Sequence, residues 1–303
     1  MKRKLIKYEL MATARLYLPL FLVMAVSALL GRLSLWQMPW VVVSEPQRFS
    51  VGASIGRSDA MGQLLGTLAT FVIFFYILVM LGALVVHFII TLQRFWKSLL
   101  GDEGYLMFTL PVTAGDLLWA KAVSAFLWSI ATVLMIAAAI LILLWHPRMV
   151  SAIRYQLAQI PPDSWGLIHQ MLRSIFPPVL RPVLVIEFFV NGFGGLFLLY
   201  AAMAMGHTVR RHKVLAALAS YAAITMVIGT AASLLMGALF PILASGVSEL
   251  ELFMSTPELL LFARQMGDFL TGVWSFVLVA DLATAVGTFL LARHLLTTQL
   301  NLE

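Results

Sequence analysis

The chain has 303 residues, of which 61% are hydrophobic and only 11% are charged, and its formal net charge is +6. A water-soluble domain averages about 45–50% apolar and about 25% charged residues, so this composition excludes an ordinary soluble domain and indicates a protein that lies in lipid. The absence of cysteine excludes disulfides, thiolate metal sites and cysteine nucleophiles. The basic excess favours membrane topology and anionic lipid as its cause over nucleic acid.

Long apolar runs predict six transmembrane helices, since about 20 apolar residues are needed to cross the hydrocarbon core. The runs lack a period-2 alternation, which favours helices over a β-barrel. We therefore expect an all-α, polytopic membrane protein in which residues 1–303 form a single transmembrane domain. The predicted spans are residues 16–36, 61–90, 122–145, 182–205, 214–243 and 269–291.

The distribution of lysine indicates the orientation of these spans. With six spans both termini lie on one side of the membrane, and every lysine falls on that side: Lys2, Lys4, Lys7, Lys97, Lys121 and Lys213. The positive-inside rule then places both termini in the cytoplasm. It also makes residues 94–121 a cytoplasmic loop and residues 147–181 an outer loop, for which we expect short helices at the outer surface.

The basic N-terminal segment predicts an interfacial helix that leads into the first span. A cleaved signal peptide, with residues 25–28 as its cleavage site, is the alternative. The segment before the apolar run is long and is interrupted by Tyr8 and Glu9, which favours the interfacial helix.

The cytoplasmic loop divides into a turn and a helix start. Residues 101–104 predict a turn by composition, and Pro111 then breaks the chain. Thr113 is placed to cap the following helix, with Asp116 three residues later as its acidic partner. The pattern is typical of a helix–turn–helix that protrudes into the cytosol, although spacing alone leaves an ordinary interhelical loop open.

The same loop resembles the first cytoplasmic loop of type-2 ABC transporter permeases. The resemblance rests on Glu103-Gly104, on Leu110-Pro111-Val112 and on Lys121 at the mouth of the next span. The stretches KLIKYELMATARLYLPL and LLGDEGYLMFTLPVT are similar to six-span permeases of Firmicutes, and the likeness covers the whole span layout. It implies a coupling helix that docks on a separate ATPase. The residues it assigns to coupling are Asp102, Glu103, Gly104, Leu110, Pro111, Thr113, Asp116 and Lys121.

The resemblance implies an exporter subunit in a bacterial cell membrane, with two permease subunits, identical or related, above two ATPases. The chain itself has no G-x-x-x-x-G-K-[ST] phosphate loop, because no lysine follows a glycine. We therefore expect a non-catalytic subunit without a cofactor, in which the partner ATPase binds ATP and magnesium. The histidines are scattered without H-x-x-x-H spacing, so we expect no metal site and no enzyme.

His87 lies near the inner end of the second predicted span, and four further residues are candidates for a polar site within the membrane, where charges are costly and often functional. They are Arg32, Glu187, Asn191 and Asp281, and a spacing of four residues puts Glu187 and Asn191 on one helix face. One hypothesis is a translocation surface, or a proton relay through Glu187 and Asp281. That relay would make the chain a secondary transporter driven by an ion gradient. The structural interpretation, which we favour for Arg32 and Glu187, is an ion pair between packed helices.

Small residues recur every four positions along the fifth span, at Thr225, Gly229, Ser233 and Gly237. Such a small-xxx-small ridge lets another helix approach closely. It predicts either an internal contact or a seam between two permease subunits, and the resemblance favours the seam.

A short basic cluster lies between the fourth and fifth spans and consists of Arg210, Arg211 and Lys213. Anionic lipid headgroups are the expected partner of such a cluster next to a membrane. A second contact with the ATPase is the alternative.

Overall fold

The computed structural model describes residues 2–37, 60–101, 104, 107, 109, 111–145, 147–209, 211–245 and 256–298. These residues are almost entirely helical and contain no strand, which confirms the all-α prediction. The helices are α1 (Lys2–Gln37), α2 (Ala60–Phe95), α3 (Ala114–Leu144), α4 (Pro147–Ala158), α5 (Pro162–Ile175), α6 (Leu180–His207), α7 (Lys213–Ala244) and α8 (Thr256–Thr298).

Six of these helices are long and apolar enough to cross a membrane: α1, α2, α3, α6, α7 and α8. The predicted spans fall in these six helices, so the architecture is that of a multi-pass membrane protein. The 28 residues of α6 correspond to about 42 Å of helix, and the 43 residues of α8 to about 64 Å. Because the hydrocarbon core is only about 30 Å thick, α8 extends well beyond it.

The predicted outer loop is largely helical, because it contains α4 and α5. Helix α5 packs against α8. Gly267 of α8 lies so close to the backbone carbonyl of Ser174 that a Cβ at that position would overlap it. The prediction of short helices between the third and fourth spans is therefore confirmed, and their position at the outer surface stays a prediction.

Helix α1 runs without a break from Lys2 to Gln37 and includes Pro19. The basic N-terminal segment and the first span are thus one helix, whereas the sequence predicted an interfacial helix leading into a span. Whether the first turns lie in the membrane interface stays a prediction.

The chain divides into two compact units, each of which has its own interior. The small unit consists of residues 7–91 and 127–160, and the large unit of residues 1–6, 92–126 and 161–303. The prediction of a single transmembrane domain is not tested by this division.

The small unit packs parts of α1, α2 and α3 around a buried apolar cluster. Its members are Met24, Ala28, Tyr76, Met80, Ala83 and Ala139. Small residues bring the helices together: a Cβ at Gly31 would lie only 3.0 Å from Leu143 Cδ1. This packing uses side chains on one face of each span and leaves the opposite faces exposed to lipid.

The large unit is built around α6, which packs against α7 and α8. Aromatic stacking fixes the end of α2 to α6, since the rings of Phe95 and Tyr200 lie 4.0 Å apart and nearly parallel. Gly206 lies against the backbone of Ala217, where a Cβ would not fit. The turn before α7 includes His212, whose φ of 57° is in the left-handed region that favours glycine.

Candidate functional site

The turn predicted between α2 and α3 is present. Helix α2 continues as a π-helical turn over Trp96–Leu100, and the amide of Gly104 donates to the carbonyl of Gly101 at 2.8 Å. Leu99 and Leu100 are buried, so the apolar side of this turn packs into the large unit. Three residues that the resemblance assigned to coupling, Asp102, Glu103 and Leu110, lie outside the described residues.

Thr113 caps α3 as predicted. Its Oγ1 accepts a hydrogen bond from the amide of Asp116 at 3.2 Å, and its carbonyl accepts from Asp116 and Leu117 at 2.9 and 3.2 Å. This arrangement satisfies amide groups that have no partner within the first turn of a helix. Pro111 and Thr113 are exposed, so they form an accessible strip just before α3.

Lys121 differs from the prediction that it belongs to a docking surface. The side chain is only 4% exposed and has a partner within the chain. It lies two helical turns into α3, where neighbouring helices cover it. We therefore remove Lys121 from the surface available to another protein.

Two of the predicted intramembrane acids come together in the large unit. The Asn191 amide of α6 donates to Asp281 Oδ2 of α8 at 2.9 Å, and the Glu187 carboxyl interacts with the Asp281 carboxyl. Glu187 is only 5% exposed, and its Oε2 has no hydrogen-bond partner among the described residues. We call Glu187, Asn191 and Asp281 the acid cluster.

Arg32 binds the end of a neighbouring helix in the small unit. Its guanidinium donates to the carbonyl oxygens of Ile142 and Trp145 at 2.7 and 2.8 Å. These carbonyls lie at the C-terminal end of α3, where backbone acceptors lack helical partners and cations are favourable. Arg32 belongs to the small unit and Glu187 to the large unit, so the preferred Arg32–Glu187 ion pair stays a prediction.

A cavity of about 250 Å³ lies in the large unit between α3, α6 and α8. Every residue that lines it is apolar, and five of them carry aromatic rings: Trp119, Phe189, Phe193, Phe197 and Phe289. The Phe197 ring meets Trp119 and Phe289 edge to face, at centroid distances of 5.3 and 5.0 Å. We call this space the aromatic cavity.

The acid cluster lies one helical turn from the aromatic cavity. Asp281 is four residues before Ala285, and Glu187 is three residues before Val190, and both of these later residues line the cavity. These separations correspond to about 4.5 and 6 Å along the helix axes. The two helices approach closely here, since a Cβ at Gly194 would lie 3.3 Å from the Cβ of Ala285.

The predicted small-residue ridge on α7 faces away from the interior of the large unit. A Cβ built at Gly229 or Gly237 would meet no described atom within 4 Å. The hydroxyl groups of Thr225 and Ser233 donate to carbonyl oxygens of their own helix, so they hold no second helix in place. The ridge is thus not used for an internal contact among the described residues, and the subunit seam stays a prediction.

The predicted basic cluster is described only in part, because Arg210 lies outside the described residues. Arg211 is exposed, whereas Lys213 is half-buried. The Lys213 Nζ approaches His207 Nε2 at 3.3 Å. Of the two described members, Arg211 is the more accessible to a lipid headgroup or another protein, and both contacts stay predictions.

A polar network in the small unit was missed from the sequence. The Tyr17 hydroxyl and His87 Nδ1 are 2.8 Å apart, and His87 Nε2 and Ser129 Oγ are 3.0 Å apart. The Trp128 indole stacks on Tyr17 at 4.4 Å and donates to Thr13 Oγ1 at 2.7 Å. The available signal was His87 within the second predicted span, together with polar residues four apart, Thr13 with Tyr17 and Trp128 with Thr132. We call this the histidine network.

Comparison with protein-family models, curated proteins and solved structures finds no match to this chain. Within the described ranges, no three histidine, aspartate or glutamate side chains are placed to hold a metal ion together. The acid cluster and the aromatic cavity together bring two carboxyl groups, one amide and five aromatic rings into the large unit.

Proposed function

We propose that this chain is the membrane-spanning subunit of an ATP-binding cassette exporter. The observation that carries the proposal is the segment between α2 and α3, where a tight turn and a capped helix start present an accessible strip at Pro111 and Thr113. The resemblance of residues 94–121 to type-2 permeases gives that strip its role. A separate ATPase docks there, and two such chains, or this chain and a related one, form the membrane part.

Helix α3 provides a short route from that strip to the aromatic cavity. Trp119, which lines the cavity, follows the capping residue Thr113 by six residues, or about 9 Å of helix. The Cβ position of Gly115 also lies against Phe289 and Arg293 of α8. A displacement of the α3 start by an ATPase would therefore move a cavity wall directly.

The orientation of the chain provides a first test. Because the chain lacks cysteine, a single introduced cysteine is its only thiol, and labelling of that thiol shows on which side of the membrane the residue lies. In intact cells, an impermeant maleimide is expected to label Asp163→Cys in α5 and to leave Thr113→Cys unlabelled until the membrane is opened. Labelling of Thr113→Cys from outside would place the strip on the wrong side and overturn the proposal.

The partner provides the decisive test. The tagged full chain is expected to co-purify with a polypeptide that has a phosphate loop and hydrolyses ATP. Pro111→Cys is expected to cross-link to that ATPase, and the matched control Asp163→Cys is not. An ATPase that cross-links equally at both positions, or a chain that exports without nucleotide, contradicts the proposal.

The acid cluster supports a second candidate, a secondary transporter that moves protons through Glu187 and Asp281. The observation in its favour is the placement of the two carboxyl groups beside each other, with the Asn191 amide bound to Asp281. It requires transport by the isolated chain in proteoliposomes under a proton gradient, without ATP. The same preparation separates the two candidates, because an exporter subunit is inactive there until the ATPase is added.

A further inference from the structure

In the acid cluster, the described residues satisfy only part of the hydrogen-bonding capacity of the two carboxyl groups. Two carboxyl groups interact within a membrane-spanning part of the chain, and the Asn191 amide donates to only one of them. Glu187 Oε2 is buried and has no partner among the described residues. A buried carboxylate without compensation is strongly unfavourable, so this cluster requires either a proton or a cation to complete it.

The aromatic cavity offers the complementary half of a ligand site. Its walls are apolar and mostly aromatic, so they suit the ring or alkyl body of a ligand. Phe189 and Val286 are about half exposed at its rim, which gives a ligand access from the surface of the bundle. The volume of about 250 Å³ accommodates one ring or a short alkyl group and is too small for a folded peptide.

We propose that the aromatic cavity and the acid cluster together bind a small lipophilic organic cation. The apolar body of the ligand occupies the cavity, and its cationic group lies one helical turn away at Asp281 and Glu187. The separation of about 4.5–6 Å along the helices suits a phenylalkylammonium, in which a short linker joins a ring to the charged nitrogen. Charge complementarity thus selects the class of ligand, and the cavity limits its size.

This inference deepens the proposed function by naming the class of cargo, and the identification as cargo rests on that function. Binding itself does not, because the purified chain provides the whole site without an ATPase. Failure of binding and failure of ATP-dependent export can therefore be told apart.

The test measures binding of tritiated phenethyltrimethylammonium to the full chain in phosphatidylcholine nanodiscs. Its neutral carbon isostere, 3,3-dimethylbutylbenzene, serves as a competitor of the same shape. We expect the cation to bind at least about tenfold more tightly than the isostere, a difference of about 1.4 kcal/mol. Asp281→Asn and Glu187→Gln are each expected to abolish this preference and to leave competition by the isostere unchanged.

A second variant tests the cavity independently of the charges. Val286→Trp places a large ring at the cavity rim from an exposed position, and Val279→Trp is its matched control at an exposed position of the same helix that does not line the cavity. Val286→Trp is expected to remove binding of both probes, whereas Val279→Trp retains it. Unchanged binding in Val286→Trp would show that the ligand does not occupy the aromatic cavity. Equal affinity of the parent chain for the cation and the isostere would show that the acid cluster does not select a charged ligand.

Discussion

The histidine network and the acid cluster are both polar groups placed within membrane-spanning helices, yet their hydrogen bonding differs. Both ring nitrogens of His87 have hydroxyl partners, and Tyr17 is also stacked on Trp128. In the acid cluster, Glu187 Oε2 lacks a partner among the described residues. A satisfied network costs little to bury and holds helices together, whereas an unsatisfied acid persists only where a ligand or a proton completes it.

This comparison separates structural from functional polar groups. Changes in the histidine network should reduce stability and leave transport by the folded fraction intact. Changes in the acid cluster should reduce transport and ligand binding with little loss of stability.

The largest effect on stability is expected for Tyr17→Ala. Tyr17 is 1% exposed, and the truncation removes both the ring stacked on Trp128 and the hydroxyl that meets His87. Loss of a buried aromatic side chain costs about 3 kcal/mol or more. Thermal unfolding of the purified chain in detergent measures it, and Tyr8→Ala, on the same helix but 68% exposed, should be nearly neutral. Equal stability of the two variants contradicts the structural role of the network.

The acid cluster is expected to respond in the opposite way. Asp281→Asn keeps the size of the side chain and removes one of two interacting acidic groups, so we expect its melting temperature to stay close to that of the parent. Transport in proteoliposomes, with the ATPase added, is expected to fall at least about tenfold, equivalent to about 1.4 kcal/mol. Parental transport together with reduced stability would make the cluster a structural element like the histidine network.

A smaller loss of stability is expected when only the hydrogen bonds of the histidine network are removed. His87→Leu retains bulk and leaves the Tyr17 and Ser129 hydroxyls without their ring partner. Hydrogen bonds between membrane helices are worth about 0.6–2 kcal/mol, so the loss should be about 1 kcal/mol, well below that of Tyr17→Ala. If His87→Leu abolishes transport without a loss of stability, the histidine network has a direct role in transport and is not only a structural element.

Features that follow from local sequence were predictable. The six spans follow from apolar runs, the cap at Thr113 from a hydroxyl before a helical pattern, and the turn at Gly101 from its glycines. Each depends on neighbours within a few residues. The continuity of α1 through Pro19 was not predicted, because a basic segment that is followed by an apolar run gives no information on whether the helix is interrupted between them.

The sequence identified residues that are candidates for contacts between helices, but it did not identify their partners. The sequence indicated that Glu187, Asn191 and Asp281 were unusual, but α6 and α8 are separated by α7 along the chain, and only packing shows that these residues meet. The same limit applies to Arg32, whose carbonyl partners on α3 were not predicted, and to Lys121, whose burial was not predicted. Opposite charge in two spans and position near a membrane edge do not specify which helix faces meet.

The smallest expected effect concerns Thr113, where the proposed ATPase would act on the wall of the aromatic cavity. Thr113→Ala removes the hydroxyl that accepts from Asp116, and loss of an N-cap costs about 0.5–1 kcal/mol. Because the cap lies at the start of α3, we expect this loss to loosen the helix that carries Trp119 and to weaken coupling between ATP binding and the cavity. Nucleotide-dependent labelling of a cysteine at Val286 measures that coupling, and Thr230→Ala, an exposed hydroxyl on α7, is the matched control. We expect Thr113→Ala to reduce the nucleotide-dependent labelling, and we expect nucleotide to leave the melting temperature of Tyr17→Ala unchanged. Together, these results would assign transmission to the large unit and stability to the small unit.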